Sequence, residues 1–336
     1  MSTSNTGLFI VWRIFQRRTE SLAREFNLDV CYYYRPWEEK SKFHKALSYI
    51  FKTFGTVTDL IRHKPPVVFI QLPPTPLLYI VATYCKITGS KLVADCHNAM
   101  IYSRWLRWPL AKALLRQADI TLVHNKDVEV YAKRFNLDTI TLRDPLPVLA
   151  SPSQSNLLDR IGISKNHYII VPWSFAPDEP INELIQAAAA LPGTNFVMTW
   201  FAEKLPPGVR NSLPPNLILS GYLDDEDFNT LFSKSIAAIV LTTREGTQPS
   251  AASEAIVLGI PLIVSDLNTT RQLYDNMPIY TKNTSEGIRE AAQEVVDHRD
   301  EYQAKITVFK NNFAKRLNQE IRDVKSTLNL TDTHQK

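Results

Sequence analysis

Residues 237–266 read AAIVLTTREGTQPSAASEAIVLGIPLIVSD: an apolar run at 237–241, a polar turn, a helix-spaced stretch at 252–259, and a second apolar run starting at Pro261. Strand, turn, helix and strand in that order make a βαβ unit, with parallel strands and a crossover helix. The same rhythm extends upstream through HYIIV (167–171), PINELIQAAAAL (180–191), NFVMTW (195–200), NLILSGYL (216–223) and DEDFNTLFSKS (225–235). The first half repeats it. GLFIVW, RIFQRRTESLAREF and DVCYYY alternate strand, helix and strand. A long helix over about 41–63, VVFIQ, a helix over 76–88, KLVAD, a helix over 104–117, ITLVH and a helix over 126–135 follow. Between the halves, RDPLPVLASPSQS (143–155) mixes proline and serine without periodicity, as a linker does. The expected fold is α/β with two doubly wound, Rossmann-like domains over 1–148 and 149–300. A polar helix and tail over 301–336 are expected to pack back on the first domain.

Composition narrows the class. A chain of 336 residues with 44% hydrophobic content is long enough for two ordinary domains. Cys31, Cys85 and Cys96 have neither the number nor the spacing of a disulfide framework or a zinc site, so a reducing compartment is expected. The N-terminus has no secretory-leader pattern, and the most apolar window, PPVVFIQLPPTPLLYIVATYC, carries five prolines and Gln71. A cytoplasmic protein is expected, with peripheral contact on the cytoplasmic face of a membrane. Residues 1–150 hold 21 Lys and Arg against 12 Asp and Glu, whereas the remainder holds 17 against 22. A basic half faces an anionic partner or is simply an unevenly charged surface; both readings stand.

The ten glycines are all isolated, and no two are close enough for a dinucleotide fingerprint, a P-loop or a nucleophile elbow. Nicotinamide dehydrogenases, P-loop kinases and α/β-hydrolases are thereby disfavoured. Gly246, Pro249 and the small residues Ser250 to Ser253 instead leave the backbone of a helix start uncrowded. Its unpaired N–H groups and the helix dipole suit an anion such as a phosphate. Glu254, a turn later, is placed to accept hydrogen bonds from sugar hydroxyls. The same residues also read as a capped helix start with a glutamate partner.

Strand, acidic turn, small-residue helix, Leu258-Gly259-Ile260-Pro261 and strand together resemble the donor site of GT-B glycosyltransferases, in particular the retaining family-four type. The resemblance implies two domains facing a central cleft. It also implies that Glu254 binds the nucleotide ribose and that the N–H groups of Gly246, Thr247, Gln248 and Ser250 hold the diphosphate. Eight residues separate Glu245 from Glu254 where the family has seven, so that Gly246 occupies the family's expected position; the role the resemblance implies for Glu245 is contact with the donor sugar. VPWSFAPDEPINELIQA is similar to the matching stretch of the eukaryotic chitobiosyldiphosphodolichol β-mannosyltransferases, which implies donor contacts for Trp173 and Ser174. The family's usual Arg and Lys are absent there, so Lys204 and Arg244 are the expected cations for the diphosphate.

In the first half, Asp95-Cys-His97-Asn98 at the end of KLVAD and LRDPLP with Arg143 and Asp144 resemble the same mannosyltransferases. His97 is the expected catalytic or acceptor-orienting group, and Asn98, Arg143 and Asp144 the expected acceptor-side residues. The structural alternative, a histidine satisfied at a strand end, stays open for His97 and is preferred for His124. Asp224-Asp-Glu-Asp227 precedes an apolar-periodic helix and reads as a cap, so neither a metal nor another cofactor is expected. SKFHKALSYIFKTF and SRWLRWPLAKALLR mix cations with Phe, Leu and Trp at helical spacing, which suits a headgroup layer or helices whose apolar faces are core and whose cations are solvated. The resulting expectation is transfer of a hexosyl unit, for which the resemblance offers mannosyl, from a GDP- or UDP-sugar to a glycan or lipid-linked acceptor, without nucleic acid. The alternatives are a non-catalytic GT-B subunit that binds a partner transferase or lipid-linked glycan, and a nucleotide-sugar epimerase.

Overall fold

A computed structural model of the chain describes residues 7–153, 156–165, 167–201, 205, 207–210 and 213–330. Two compact units result, one of residues up to Pro145 together with those from Lys315 onward, the other of Leu146–Ala314. The first unit contains β1 (Gly7–Val11), α1 (Arg17–Phe26), β2 (Leu28–Tyr32), α2 (Lys42–His63), β3 (Val67–Leu72) and α3 (Thr75–Thr88). It continues with β4 (Lys91–Cys96), α4 (Asn98–Tyr102), α5 (Ala111–Gln117), β5 (Ile120–Val123), α6 (Lys126–Lys133) and β6 (Ile140–Thr141). The second unit contains α7 (Leu157–Ile161), β7 (Tyr168–Val171), α8 (Ile181–Ala189), β8 (Asn195–Met198), α9 (Pro207–Arg210), β9 (Leu217–Leu219) and α10 (Asp225–Ser233). After these come β10 (Ala237–Val240), α11 (Ser250–Leu258), β11 (Leu262–Ser265), α12 (Asn268–Tyr274), β12 (Ile279–Thr281) and α13 (Ser285–Asp297). The last helix, α14 (Arg299–Thr327), is shared between the units.

Each unit is built on a six-stranded, all-parallel sheet, ordered β2-β1-β3-β4-β5-β6 in the first and β12-β11-β10-β7-β8-β9 in the second. Helices cover both faces, which is why β1, β3, β7, β10 and β11 are buried along their whole length and read as unbroken apolar runs. The doubly wound fold expected from the strand–helix rhythm is therefore present. Strand order reverses between β1 and β3 in one sheet and between β7 and β10 in the other, and the crevice beyond the strand ends at such a point is where open α/β sheets bind ligands.

Two expectations need correction. The helix expected over 104–117 is broken: residues 104–107 form a short 3-10 turn, and the α-helix starts only at Ala111. Pro109 and Leu110 lie at the break, the latter in the left-handed region at φ 60°, which a continuing helix excludes. SRWLRWPLAKALLR is accordingly not one amphipathic helix. Secondary structure after Asp266 is also richer than the pattern indicated, with α12, β12 and α13 completing the second sheet's far edge. Among the described residues no helix is long and apolar enough to cross a membrane.

Candidate functional site

Strand register brings chemistry together at the carboxyl ends of the first sheet. Asp95 on β4 pairs across to Gln71 on β3 and Leu122 on β5, and Cys96 pairs with Val123. His97 and His124 therefore leave adjacent strands at the same level, and their rings sit 4.4 Å apart, edge to face. Asp144 follows β6, the next strand over. Arg18, from α1, binds this group from beneath. Its Nε donates to both Asp95 oxygens at 3.1 Å, Nη2 donates to Oδ1 at 2.9 Å, and Nη1 donates to Asp144 Oδ1 at 2.5 Å.

With both histidines neutral this cluster carries one cation and two carboxylates, a net charge of −1. Burial alone would raise the Asp95 and Asp144 carboxyls, but the Arg18 guanidinium outweighs it and holds both below their ordinary range. The histidines go the other way. Desolvation, reinforced by Arg18, pushes His124 down to about 3 and lowers His97, against the pull of the two carboxylates. His124 Nε2 lies 3.8 Å from Asp95 and Nδ1 3.7 Å from Asp144, too far for hydrogen bonds. His97 is 29% exposed, its Nε2 lies 2.5 Å from the Gln71 amide and 4.0 Å from Asp95. It is thus a neutral, partly accessible imidazole whose Nε2 faces the Gln71 amide and whose protonation burial disfavours. Asp95, His97 and His124 also bring three ligand-type atoms within 4.8 Å of one another, and Arg18 competes with any cation for the Asp95 oxygens.

The pH dependence follows from the buried histidine. An unfolded imidazole ionises near about 6.5, whereas the folded protein protonates His124 only near about 3. Between those values the unfolded chain binds a proton that the folded one does not, so this part of the stability is intact above about pH 6.5 and falls away as pH drops toward 3. Lowering pH from about 7.5 to about 5 is expected to remove about 2 kcal/mol through His124, with His97 adding in the same direction. The carboxylates do not titrate in that interval. Urea unfolding at the two pH values checks this, and His124→Gln should flatten the dependence.

Of the other acceptor-side residues, Asn98 opens α4, and Arg143 is engaged by Glu320 of α14, its Nε donating at 2.8 Å and Nη2 at 2.7 Å. Asp144 joins the Arg18 cluster. Nothing in the sequence pattern marks Arg18 as the partner of Asp95, 77 residues away.

In the second unit the Gly246 turn follows β10, at the strand-order reversal. The loop after β7 meets it there: Asp178 accepts from the Thr242 hydroxyl at 2.5 Å, and its carbonyl accepts from Thr243 N–H at 2.7 Å. Glu179 holds the β7 loop in shape by accepting from the N–H groups of Ser174 and Ala176 and from the Ser174 hydroxyl. Gly246 has φ 75°, a left-handed conformation that glycine adopts without strain, and the space beside it is open, but its N–H, expected to hold the diphosphate, donates instead to the Thr269 hydroxyl at 2.8 Å. Pro249 occupies the N-cap position of α11 with no side-chain cap, so the alternative of a helix start closed by a serine or threonine does not describe this terminus. Ser250 begins the helix, Thr247 and Gln248 are partly exposed in the turn, Arg244 is exposed beside it, and Glu254 is buried.

Glu245 has a different setting. Its carboxylate accepts from Asn268 N–H at 3.0 Å and from the N–H and hydroxyl of Thr269 at 3.1 and 2.8 Å. Desolvation alone would raise its pKa, but those donors at the start of α12 together outweigh it and lower the pKa. Lys204 lies outside the described residues.

An aromatic row also emerges from register. Val171 pairs with Met198 and Met198 with Leu219, so Trp173, Trp200 and Tyr222 follow neighbouring strand ends. Phe175, at φ 61°, packs on Trp200 at 4.9 Å, and Phe201 stacks on Tyr222 at 5.8 Å. A bulky side chain in the left-handed region is a strained arrangement. The Trp173 indole N–H is buried without a hydrogen-bond partner among the described residues. Only Trp173 of this row was expected from the sequence.

The chain matches no protein-family model and no curated protein. Its fold matches a solved glycosyltransferase from Rickettsia africae with a TM-score of 0.70 at 9% identity, covering 98% of this chain and 100% of the other. HepE of Anabaena, solved in complex with UDP, matches with a TM-score of 0.68 at 13% identity over 96% of this chain and 99% of its own. UDP-GlcNAc 2-epimerase from Methanocaldococcus jannaschii matches with a TM-score of 0.52 at 10% identity, over 86% and 92% of the two chains. The two sheets with interleaved helices are thus those of the GT-B fold.

Proposed function

We propose that this chain is a glycosyltransferase that takes a hexosyl unit from a UDP- or GDP-sugar held by its second unit and delivers it to a glycan or lipid-linked glycan. The reading rests on one observation above the rest: α11 begins at the strand-order reversal without a side-chain cap, and Glu254 is buried a turn further on. In this reading the N–H groups of the first turn receive the diphosphate and Glu254 takes the ribose hydroxyls. Arg244 adds a positive charge, and the leaving diphosphate is stabilised by these fixed dipoles without a metal. Trp173 and its aromatic neighbours offer ring faces to the base or the sugar. His97, in the first unit, is a neutral polar group that orients the acceptor hydroxyl. The fold likeness to HepE, solved with UDP and with UDP-glucose, supports the choice of donor class.

Melting the protein in a panel of UDP- and GDP-sugars tests the reading. One nucleotide series is expected to raise Tm by about 5 °C at about a hundred times its Kd. No shift with any member contradicts it. Donor turnover without an acceptor points instead to an epimerase, and binding without transfer to a non-catalytic subunit.

A further inference from the structure

The long helix α2 is packed inside out. A surface helix ordinarily turns its apolar stripe to the core and its charges to water. Here the buried positions are Ser48, Lys52, Thr56 and Leu60, while Phe43, Leu47, Ile50, Phe54, Val57 and Ile61 form the outward stripe and are between 37% and 73% exposed. Those six positions recur at intervals of three and four residues, so they fall along one side of a 22-residue helix. The inversion has a local cause: the polar inner face has dedicated partners. Lys52 pairs with Glu38 at 2.7 Å and donates to the Trp12 carbonyl at 3.2 Å, and the Trp12 indole donates to the Thr56 hydroxyl at 3.0 Å. Gly55 gives the Tyr33 ring room, since a Cβ there would lie 2.5 Å from it.

Charge around the stripe selects what covers it. Exposed Lys42 and Lys45 stand at one end, Arg62 and Lys64 at the other, and exposed Arg13 and Arg104 lie near Tyr49 along its flank. From residue 40 to residue 64 the sequence contains a single acid, Asp59, and its carboxylate already accepts the Tyr33 hydroxyl. Two exposed apolar side chains, Ile14 and Phe15, adjoin Arg13 in the chain. A second copy of the chain would bring these cations against their own kind. An anionic lipid surface satisfies both properties, since its headgroups attract the cationic rim and its acyl boundary accepts the rings.

We propose that the outward stripe of α2 is a docking face for an anionic membrane surface, on which the helix lies flat. This site is separate from the donor-binding reading, and its test needs no nucleotide. Full-length protein is sedimented with phosphatidylcholine vesicles with and without phosphatidylglycerol. Binding is expected only with the anionic lipid, falling as salt rises. Phe54→Ser with Ile61→Ser should weaken it about tenfold or more without altering Tm, because both side chains are solvent-exposed. Lys42→Glu with Lys45→Glu should weaken it about tenfold. Absence of binding to anionic vesicles, binding untouched by the apolar double variant, or self-association in solution that this variant abolishes would each overturn the assignment.

Discussion

Replacing Arg18 with alanine is expected to lower the unfolding free energy by about 3–5 kcal/mol, because it strands a buried carboxylate without its counter-charge. Asp95 is fully buried and the Arg18 side chain is 4% exposed, so water cannot substitute for the guanidinium. One planar group here satisfies both Asp95 oxygens and reaches Asp144 as well. A lysine has a compact ammonium and no such fork, and Arg18→Lys should recover only part of the loss. Removing both charges is a different matter: Arg18→Met combined with Asp95→Leu should unfold less readily than Arg18→Ala alone, since only Asp144, 33% exposed, then loses its counter-charge and the fully buried carboxylate is gone. Urea unfolding of the three variants at neutral pH measures this. A loss below about 1 kcal/mol for Arg18→Ala would mean that the pair is weakly coupled.

That cluster also marks where reading the sequence stops. His97 is visible because a histidine just beyond an apolar run must sit at a strand end, and the sheet rule then points it toward a ligand crevice. Arg18 is invisible for the complementary reason. It lies in an amphipathic stretch where arginine is usually solvated, and only the tertiary fold buries it against a residue 77 positions away. The aromatic row in the second unit has the same origin, since Trp173, Trp200 and Tyr222 become neighbours through the register of three strands. Fold class was far easier to read. Buried parallel strands are continuous apolar runs, and their alternation with helices leaves few topologies. The weakly patterned stretch after Asp266 shows the limit, for β12 has three residues and α13 buries two alanines among its four core positions. Helical spacing in α2 was legible too. Which face turned inward was not, because it depends on Glu38, Trp12 and Tyr33 meeting a polar stripe.

Glu254→Ala is expected to weaken binding of the donor nucleotide about a hundredfold. A carboxylate that accepts two ribose hydroxyls makes charge-assisted hydrogen bonds that together are worth about 3 kcal/mol at the lower end of their range, and about 2.7 kcal/mol corresponds to a hundredfold change in Kd. Glu254→Gln keeps the size of this buried side chain and still accepts a hydrogen bond, so its loss should be smaller. The substitution lies on α11 itself, a turn from the N–H groups assigned to the diphosphate, so it probes the placement of the donor rather than the chemistry of transfer. Calorimetric titration of the stabilising nucleoside diphosphate into wild type, Glu254→Ala and Glu254→Gln is the most direct measurement. A fall of about a hundredfold for alanine with a milder fall for glutamine is predicted. Equal affinity in all three folded proteins would contradict the placement of the donor at α11.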